Sequence, residues 1–476
     1  MDYPVLEVWG SGGPSALPLR IANPPPGFEH KILTKNRMIY TSESRILQLC
    51  KNEINAHYQE GKWDDYKKIT NPYEYIFLSW NRRTSRSVAT RQPLSRSYFK
   101  MKELWYRLDL GTQLAPLVAM KGGLATAHAA EGPGGFIEAC SVIAEESWWK
   151  VLSSSAITLR SDARNIPGWR KATKFLEEHL EVDIQTGADG TGNILLLENQ
   201  QSFVDSVRAL HPDGVHLYTA DGGFDFSSDY NAQEDSILPL FLAECLLGLQ
   251  VLTKGGYLIV KCFDTTEKPT LDLLWLMSKA FREWGLVKPR TSRAGNAERY
   301  FVGKGFLGDV GDILSILTTY QERGMFTHPI LNMMDPIHWN PMMAKITSLQ
   351  EQMEHLEILV IHETIELIRT TDPSAIRQHV SENVRRALNW CMEHRECVSS
   401  VWVSEFERNV SKETSDLLHI LNPPGSVLSY NNSWNTRGHA THHITFEGFR
   451  TAAVEDAAAV EAVAAVEGAT IVAEDE

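Results

Sequence analysis

Between residues 95 and 305 the chain switches repeatedly between short apolar runs and longer stretches with helical spacing, and this alternation most restricts what it can become. Apolar runs at 122–130, 155–160, 193–197, 215–220, 256–263 and 299–304 read as strands. The stretches 95–110, 134–151, 166–178, 200–210, 232–253 and 270–284 read as helices. Strands separated by helices predict an α/β fold in which a parallel sheet is joined by crossover helices. The pattern stops after Gly311. An amphipathic helix is expected from Ser348, in "SLQEQMEHLEILVIHETIELIRT". A second is expected in "DPSAIRQHVSENVRRALNWCMEHR", with Asp372 as N-cap and Pro373 in its first turn. "SKETSDLLHIL" reads as a third.

Four regions follow. Residues 1–69 read as a Gly/Pro-rich arm followed by a helix over 41–58, with Ile46, Leu47, Cys50 and Ile54 on one face. Residues 70–310 form the α/β domain, 311–450 a helical C-terminal domain, and 451–476 an acidic Ala/Val/Glu-rich tail expected to be disordered. With 43% hydrophobic and 22% charged residues in 476, wholesale disorder and collagen-like structure are excluded. The longest apolar stretch, "SILPLFLAECLLGLQVL", is broken by Pro239 and Glu244 and is short for a bilayer, so no membrane partner is expected. No secretory signal opens the chain, and six scattered cysteines without a CxxC pair point to free thiols in a reducing, intracellular setting.

The net charge of -14 argues against a nucleic-acid partner only if it is read globally. Seven of the acids lie in the last 26 residues, which carry no Lys or Arg. Arg82, Arg83, Arg86, Arg91, Arg96, Lys100 and Lys102 instead cluster in a segment without an acid, which reads either as a phosphate-binding patch or as a solvated basic loop.

Four segments could carry chemistry. "AEGPGGFIEAC" (Ala130–Cys140) is a Gly-rich turn opening into a helix, where the backbone can approach a ligand and offer unpaired amides. It fits neither GxGxxG nor GxxxxGK[ST]. Asp221 follows a strand and precedes Gly222 and Gly223, at the edge where open α/β sheets bind ligands. Lys261 lies near the end of an apolar strand, where burial can lower a lysine's pKa toward that of a base. Glu298 stands just before another strand.

Taken in order, "LSRSYFKMKEL", "EGPGGF", "ADGGF", "GGYLIVK" and "KPRTSRAGNAERY" resemble the FtsJ-like (RrmJ-type) RNA 2′-O-methyltransferases. "GADGTGNI", "DGGFDFSSDYNAQE", "NPYEY" and the "SR…N.ERY" block bring the resemblance closest to the cap-specific mRNA enzymes of eukaryotes and large DNA viruses. It covers about residues 70 to 305. The resemblance implies a Rossmann-like methyltransferase sheet flanked by helices, S-adenosylmethionine as methyl donor, and a catalytic tetrad of Lys100, Asp221, Lys261 and Glu298. It implies donor contacts from Ser95, from Ala130, Glu131, Gly132, Pro133, Gly134, Gly135 and Phe136, from Asn193 and Ile194, and from Asp221. Arg96, Asn231, Arg293 and Asn296 are the implied substrate contacts. Asn193 stands where the family usually has Asp, and Glu131 is a charged addition to the loop.

The implied partner is the capped 5′ end of mRNA, with other capping or transcription proteins as candidates and the nucleus, cytoplasm and viral factory all open. Methylation of rRNA or tRNA, or a non-catalytic RNA-binding module on the same fold, are the alternatives. In the implied chemistry Lys261 is the base, its ammonium destabilised by Lys100, Asp221 orients it and Glu298 positions Lys100. No metal is expected: the spacings of Cys391, His394 and Cys397, and of His439, His442 and His443, match no common zinc site. Trp63, Tyr75 and Trp80 are candidates for stacking on a methylated guanine.

Overall fold

Eight strands form one sheet in the order β1-β7-β8-β6-β5-β2-β3-β4. They are β1 (Leu6–Ser11), β2 (Leu124–Ala129), β3 (Val151–Ile157), β4 (Val182–Gln185), β5 (Val215–Ala220), β6 (Leu252–Cys262), β7 (Phe281–Lys288) and β8 (Arg299–Phe306). This computed structural model describes residues 4–14, 19–22, 37–59, 62–78, 87–161, 168–223, 233–324, 326–332, 336–399 and 441–442. The expected third C-terminal helix at "SKETSDLLHIL", the 451–476 tail, Arg82, Arg83, Arg86, Trp80, Asn231, His439 and His443 lie outside those residues.

The chain divides into two compact units. The first comprises Met1–Gln48, Pro93–Ser292 and Asn296–Leu356 and contains the whole sheet. Its pairings β6–β5, β5–β2, β2–β3 and β3–β4 are parallel, whereas β8 runs antiparallel to both β6 and β7, and β1 antiparallel to β7. The fold is thus a Rossmann-like α/β sheet flanked by helices, mixed at one side rather than wholly parallel. The central strands are buried along their length; β2 and β5 have no exposed position. Strands covered on both faces read as continuous apolar runs, which made them legible.

The helices of this unit are α3 (Ser97–Arg107), α4 (Leu110–Lys121), α5 (Gly135–Glu146), α6 (Thr173–Glu178), α7 (Leu197–Leu210), α8 (Gln233–Val251), α9 (Lys268–Lys279) and α10 (Gly311–Arg323). The sheet and α8–α10 share one hydrophobic core that includes Phe241, Leu246, Trp275, Phe281 and Leu317.

Several elements differ from the sequence expectation. The run at 193–197 is a turn, not a strand: Gly192 takes a positive φ of 68°, and Asn193 Oδ1 accepts from the Leu195 amide at 3.1 Å. An Asn side chain that satisfies a nearby amide competes with strand pairing. The helix expected over 270–284 ends at Lys279, and the aromatic Phe281–Lys288 segment becomes β7. Leu6–Ser11, within the expected arm, is an edge strand on β7; Gly285 lacks the Cβ that would collide with the Trp9 ring opposite it.

The second unit comprises Leu49–Gln92, Arg293–Gly295 and Glu357–Glu476. Two helices cross the division: α1 (Ser44–Gln59) and α11 (Pro336–Thr370), which starts twelve residues before the expected Ser348. With them come α2 (Lys62–Thr70), a 3-10 turn at Glu74–Ile76, α12 (Pro373–Glu393), and the short pair β9 (Val398–Ser399) and β10 (Thr441–His442). Asp372 caps α12 by accepting from the Ser374 amide at 2.9 Å. Trp390 and Ala387 of α12 are fully buried, and the Asn383 side chain donates to Ile69 O at 2.7 Å. Trp63 and Tyr75 are buried too, so neither offers an open stacking face. His394 stacks on Trp390, with ring centroids 4.3 Å apart.

Candidate active site

Three strand ends and the first turn of one helix bring four charged side chains together in the first unit. Asp221 directly follows β5, Lys261 is the penultimate residue of β6, Glu298 directly precedes β8, and Lys100 is the fourth residue of α3. Lys261 Nζ lies 3.2 Å from Asp221 Oδ1, and Lys100 Nζ lies 3.8 Å from the same oxygen. Lys100 also pairs with Glu298 at 2.9 Å. The four side chains keep 9–14% of their surface exposed, so the cluster is reachable from solvent although deeply set.

The electrostatics correct one expectation. Burial works against the Lys261 ammonium, but Asp221 and Glu298 together outweigh it and raise the lysine's pKa. The protein alone therefore holds Lys261 protonated; Lys100 does not neutralise it. Burial likewise opposes the Glu298 carboxylate, yet Lys100, Lys261 and Lys288 pull its pKa down to about 2.

Three residues that sequence reasoning passed over support the cluster. The Tyr300 hydroxyl donates to Asp221 Oδ1 at 2.7 Å. Tyr300 is two positions beyond Glu298, hence on the same face of the strand, and this alternation was readable. Glu103 and Lys288 fix the β7–β8 loop. The Glu103 carboxylate accepts from the Arg290 and Thr291 amides at 2.7 and 2.9 Å, and Lys288 Nζ donates to Glu298 O at 2.9 Å.

The Gly-rich turn stands between β2 and α5. Ala130 and Gly134 adopt positive φ values of 54° and 107°. A Cβ at Gly132 would lie 2.7 Å from Gly168 O, and one at Gly135 would collide with the Ser95 and Ser97 hydroxyls. Phe136 is fully buried and packs on Tyr300 at 5.8 Å between ring centroids, so its ring serves the core rather than a ligand. Glu131 does not point outward. Its carboxyl accepts from Thr219 Oγ1 and lies 3.2 Å from His128 Nδ1, and burial raises its pKa. Its place is in a buried polar row beneath the turn.

The remaining sequence candidates are scattered in role. Ser95 Oγ lies 2.5 Å from Ser97 Oγ, beside the turn. Asn193 spends its oxygen on the Leu195 amide, and the Ile194 side chain belongs to the core. Arg96 donates to Thr291 O at 3.4 Å, and Asn296 Oδ1 accepts from Lys288 Nζ at 2.9 Å. Arg293 belongs to the second unit, where it pairs with Glu74 at 3.0 Å. Lys102, expected in the basic patch, is buried and paired with Glu146 at 3.2 Å, so it is no part of an exposed patch. Among the described residues no three His, Cys, Asp or Glu side chains gather as metal ligands, and no helix is long and apolar enough to cross a membrane.

Residues 93–306 match the FtsJ-like methyltransferase family. A cap-specific mRNA (nucleoside-2′-O-)-methyltransferase 1 of Drosophila melanogaster is 36% identical over 174 residues, covering 36% of this chain and 21% of that protein. The Dictyostelium discoideum protein of the same name is 29% identical over 258 residues, covering 51% and 31%. A probable methyltransferase of African swine fever virus is 33% identical over 141 residues, covering 29% and 31%. The chain thus spans between a fifth and a third of the length of these relatives. Strands β2 to β8, the Gly-rich turn and the sequence match all fall on one segment: residues 93–306 are an FtsJ-like methyltransferase domain.

Proposed function

We propose that the protein transfers a methyl group from S-adenosylmethionine to the ribose 2′-hydroxyl of the first transcribed nucleotide of capped mRNA, with Lys100, Asp221, Lys261 and Glu298 as its catalytic tetrad. The observation that carries this reading is the convergence of both lysine amines on Asp221 Oδ1, at 3.2 and 3.8 Å. Support for the capped substrate comes from the relatives, two of which are named for cap-specific 2′-O-methylation.

The residues present suit the donor. The turn at 130–136 is packed closely on its own protein, Gly132 against Gly168 O and Gly135 against the Ser95 and Ser97 hydroxyls, and it ends at the amides of α5. We assign the methionine end of the donor to this turn with Ser95, and the adenine to the 193–194 turn, where the Asn193 amide nitrogen is the group left to meet a purine edge. When bound, S-adenosylmethionine supplies an electrophilic methyl group on a sulfonium.

The protein's own part is to hold the hydroxyl in line and remove its proton. Lys261 is the base. Its proton is held by Asp221 and Glu298, and Lys261 releases it more readily once a cationic donor shares the site, because like charge disfavours the ammonium. Asp221 fixes the amine by accepting from it, while Tyr300 fixes Asp221. Glu298, ionised at any working pH, holds Lys100 beside the reacting oxygen. Holding hydroxyl and methyl in contact contributes up to about 7–11 kcal/mol in favourable systems. Arg96 and Asn296 are the RNA contacts we assign in this unit, and an intracellular setting goes with six free thiols.

Radiolabelled methyl transfer from S-adenosylmethionine to short capped, uncapped and ribosomal or transfer RNA tests the reading. Label confined to capped RNA is expected. Label on rRNA or tRNA alone moves the substrate to that class, and label on none contradicts an active enzyme.

A further inference from the structure

Helix α8 is apolar from Ile237 to Val251 except for Glu244 and Gln250, and Glu244 is only 1% exposed. A carboxyl group so placed is costly unless it is paired. Among the described residues Glu244 makes no ion pair within 4 Å, and its Oε2 is buried without a hydrogen-bond partner. Burial, with Asp221 adding to it, pushes its pKa well above the carboxylate range despite the attraction of Lys261.

Glu244 Oε1 accepts from the Gly222 amide at 3.2 Å. That amide and the Asp221 carbonyl are two ends of one peptide group, and the Asp221 carbonyl accepts from Lys261 Nζ at 2.7 Å. A single peptide plane therefore has Glu244 at its N–H end and Lys261 at its C=O end. Because the peptide is rigid, fixing one end fixes the direction of the other, and the two hydrogen bonds polarise each other. Gly222 is what lets the acid come so close: a Cβ there would collide with Glu244 Oε1 and lie 3.0 Å from Ala130 Cβ, at the start of the Gly-rich turn.

We propose that Glu244 is a positioning residue for methyl transfer, which acts through the Asp221–Gly222 peptide to hold the Lys261 amine against Asp221. This rests on the assignment of Lys261 and Asp221 to catalysis made above. Glu244 acts as a hydrogen-bond acceptor, not as a charge, so a neutral acceptor of the same shape replaces it.

Glu244→Met and Glu244→Gln, made in the full chain, separate these roles. With capped RNA, Glu244→Met is expected to lower kcat about 30-fold while the KM for S-adenosylmethionine stays within about threefold, and Glu244→Gln to bring kcat back to within about threefold of the parent. Hydrogen exchange at the Gly222 amide gives a readout free of turnover: faster in Glu244→Met, restored in Glu244→Gln. A folded Glu244→Met with parental kcat and parental Gly222 protection overturns the proposal. So does a Glu244→Gln as impaired as Glu244→Met. A parent protein without methyl transfer to any RNA contradicts the catalytic reading instead, and the exchange measurement still decides whether Glu244 holds the peptide.

Discussion

Lys261 and Tyr300 are register partners across β6 and β8, and both reach the same carboxylate oxygen, the lysine at 3.2 Å and the tyrosine hydroxyl at 2.7 Å from Asp221 Oδ1. Directly opposed residues of an antiparallel pair lie on one face of the sheet. The antiparallel β8 thus delivers two of the groups around Asp221, since Glu298 stands two residues before Tyr300 on the same face.

Removing the Tyr300 hydroxyl leaves its ring on Phe136 and takes one donor from Asp221. Hydrogen bonds to charged groups contribute about 1.5–3 kcal/mol. Tyr300→Phe is expected to lower kcat roughly 10- to 100-fold by that figure, with little change in S-adenosylmethionine affinity. Steady-state kinetics beside calorimetric titration of the donor checks this; a parental kcat would show that Asp221 needs no such support.

The charge states set the pH dependence. Lys261 has a raised pKa and must lose its proton to act, so the active fraction grows as pH rises. The log of kcat is expected to climb with a slope of about one from neutral pH upward. Glu298, held at about 2, stays ionised throughout and adds no acidic limb. Its folded pKa lies below its unfolded value of about 4.3, so the stability it contributes is present above that value and is lost as pH falls toward 2. Acid unfolding of Glu298→Gln against the parent isolates this part, and a pH-independent kcat would contradict the assignment of Lys261.

Gly135 is packed against Ser95, Ser97 and the Tyr98 amide, the last 2.8 Å from where a Cβ would stand. Gly135→Ala must push α3 or the turn aside. Overpacking of this kind costs about 1–3 kcal/mol, so donor binding is expected to weaken tenfold or more and the melting temperature to fall. Equilibrium binding of S-adenosylmethionine reads this out without turnover. Unchanged affinity would place the donor away from the turn.

The strands that carry the cluster were legible because β2, β5, β6 and β8 are covered on both sides and leave continuous apolar runs. Lys261 and Glu298 were visible as charges at the ends of such runs. What escaped depends on neighbours distant in sequence. Phe281–Trp284 reads like the end of the helix expected over 270–284 until pairing with β8 supplies the strand. The run at 193–197 reads like a strand, and only Gly192 and the Asn193 side chain reveal a turn. The protonation of Lys261 could not be read from its own strand, because the carboxylates that raise it come from β5 and the β7–β8 loop. Glu244 stood out as a lone acid, but its partner is an amide brought to it by the packing of α8.

The most direct measurement is the position of the methyl group after incubation of capped RNA with S-adenosylmethionine, read by nuclease digestion and mass spectrometry for the parent and for Lys261→Met. The parent is expected to give a 2′-O-methylated first nucleotide, and Lys261→Met to bind the donor normally while turning over at least about 100-fold more slowly, the lower end of what a lost general base costs. Methylation on a base, or a Lys261→Met protein as active as the parent, would contradict the assignment.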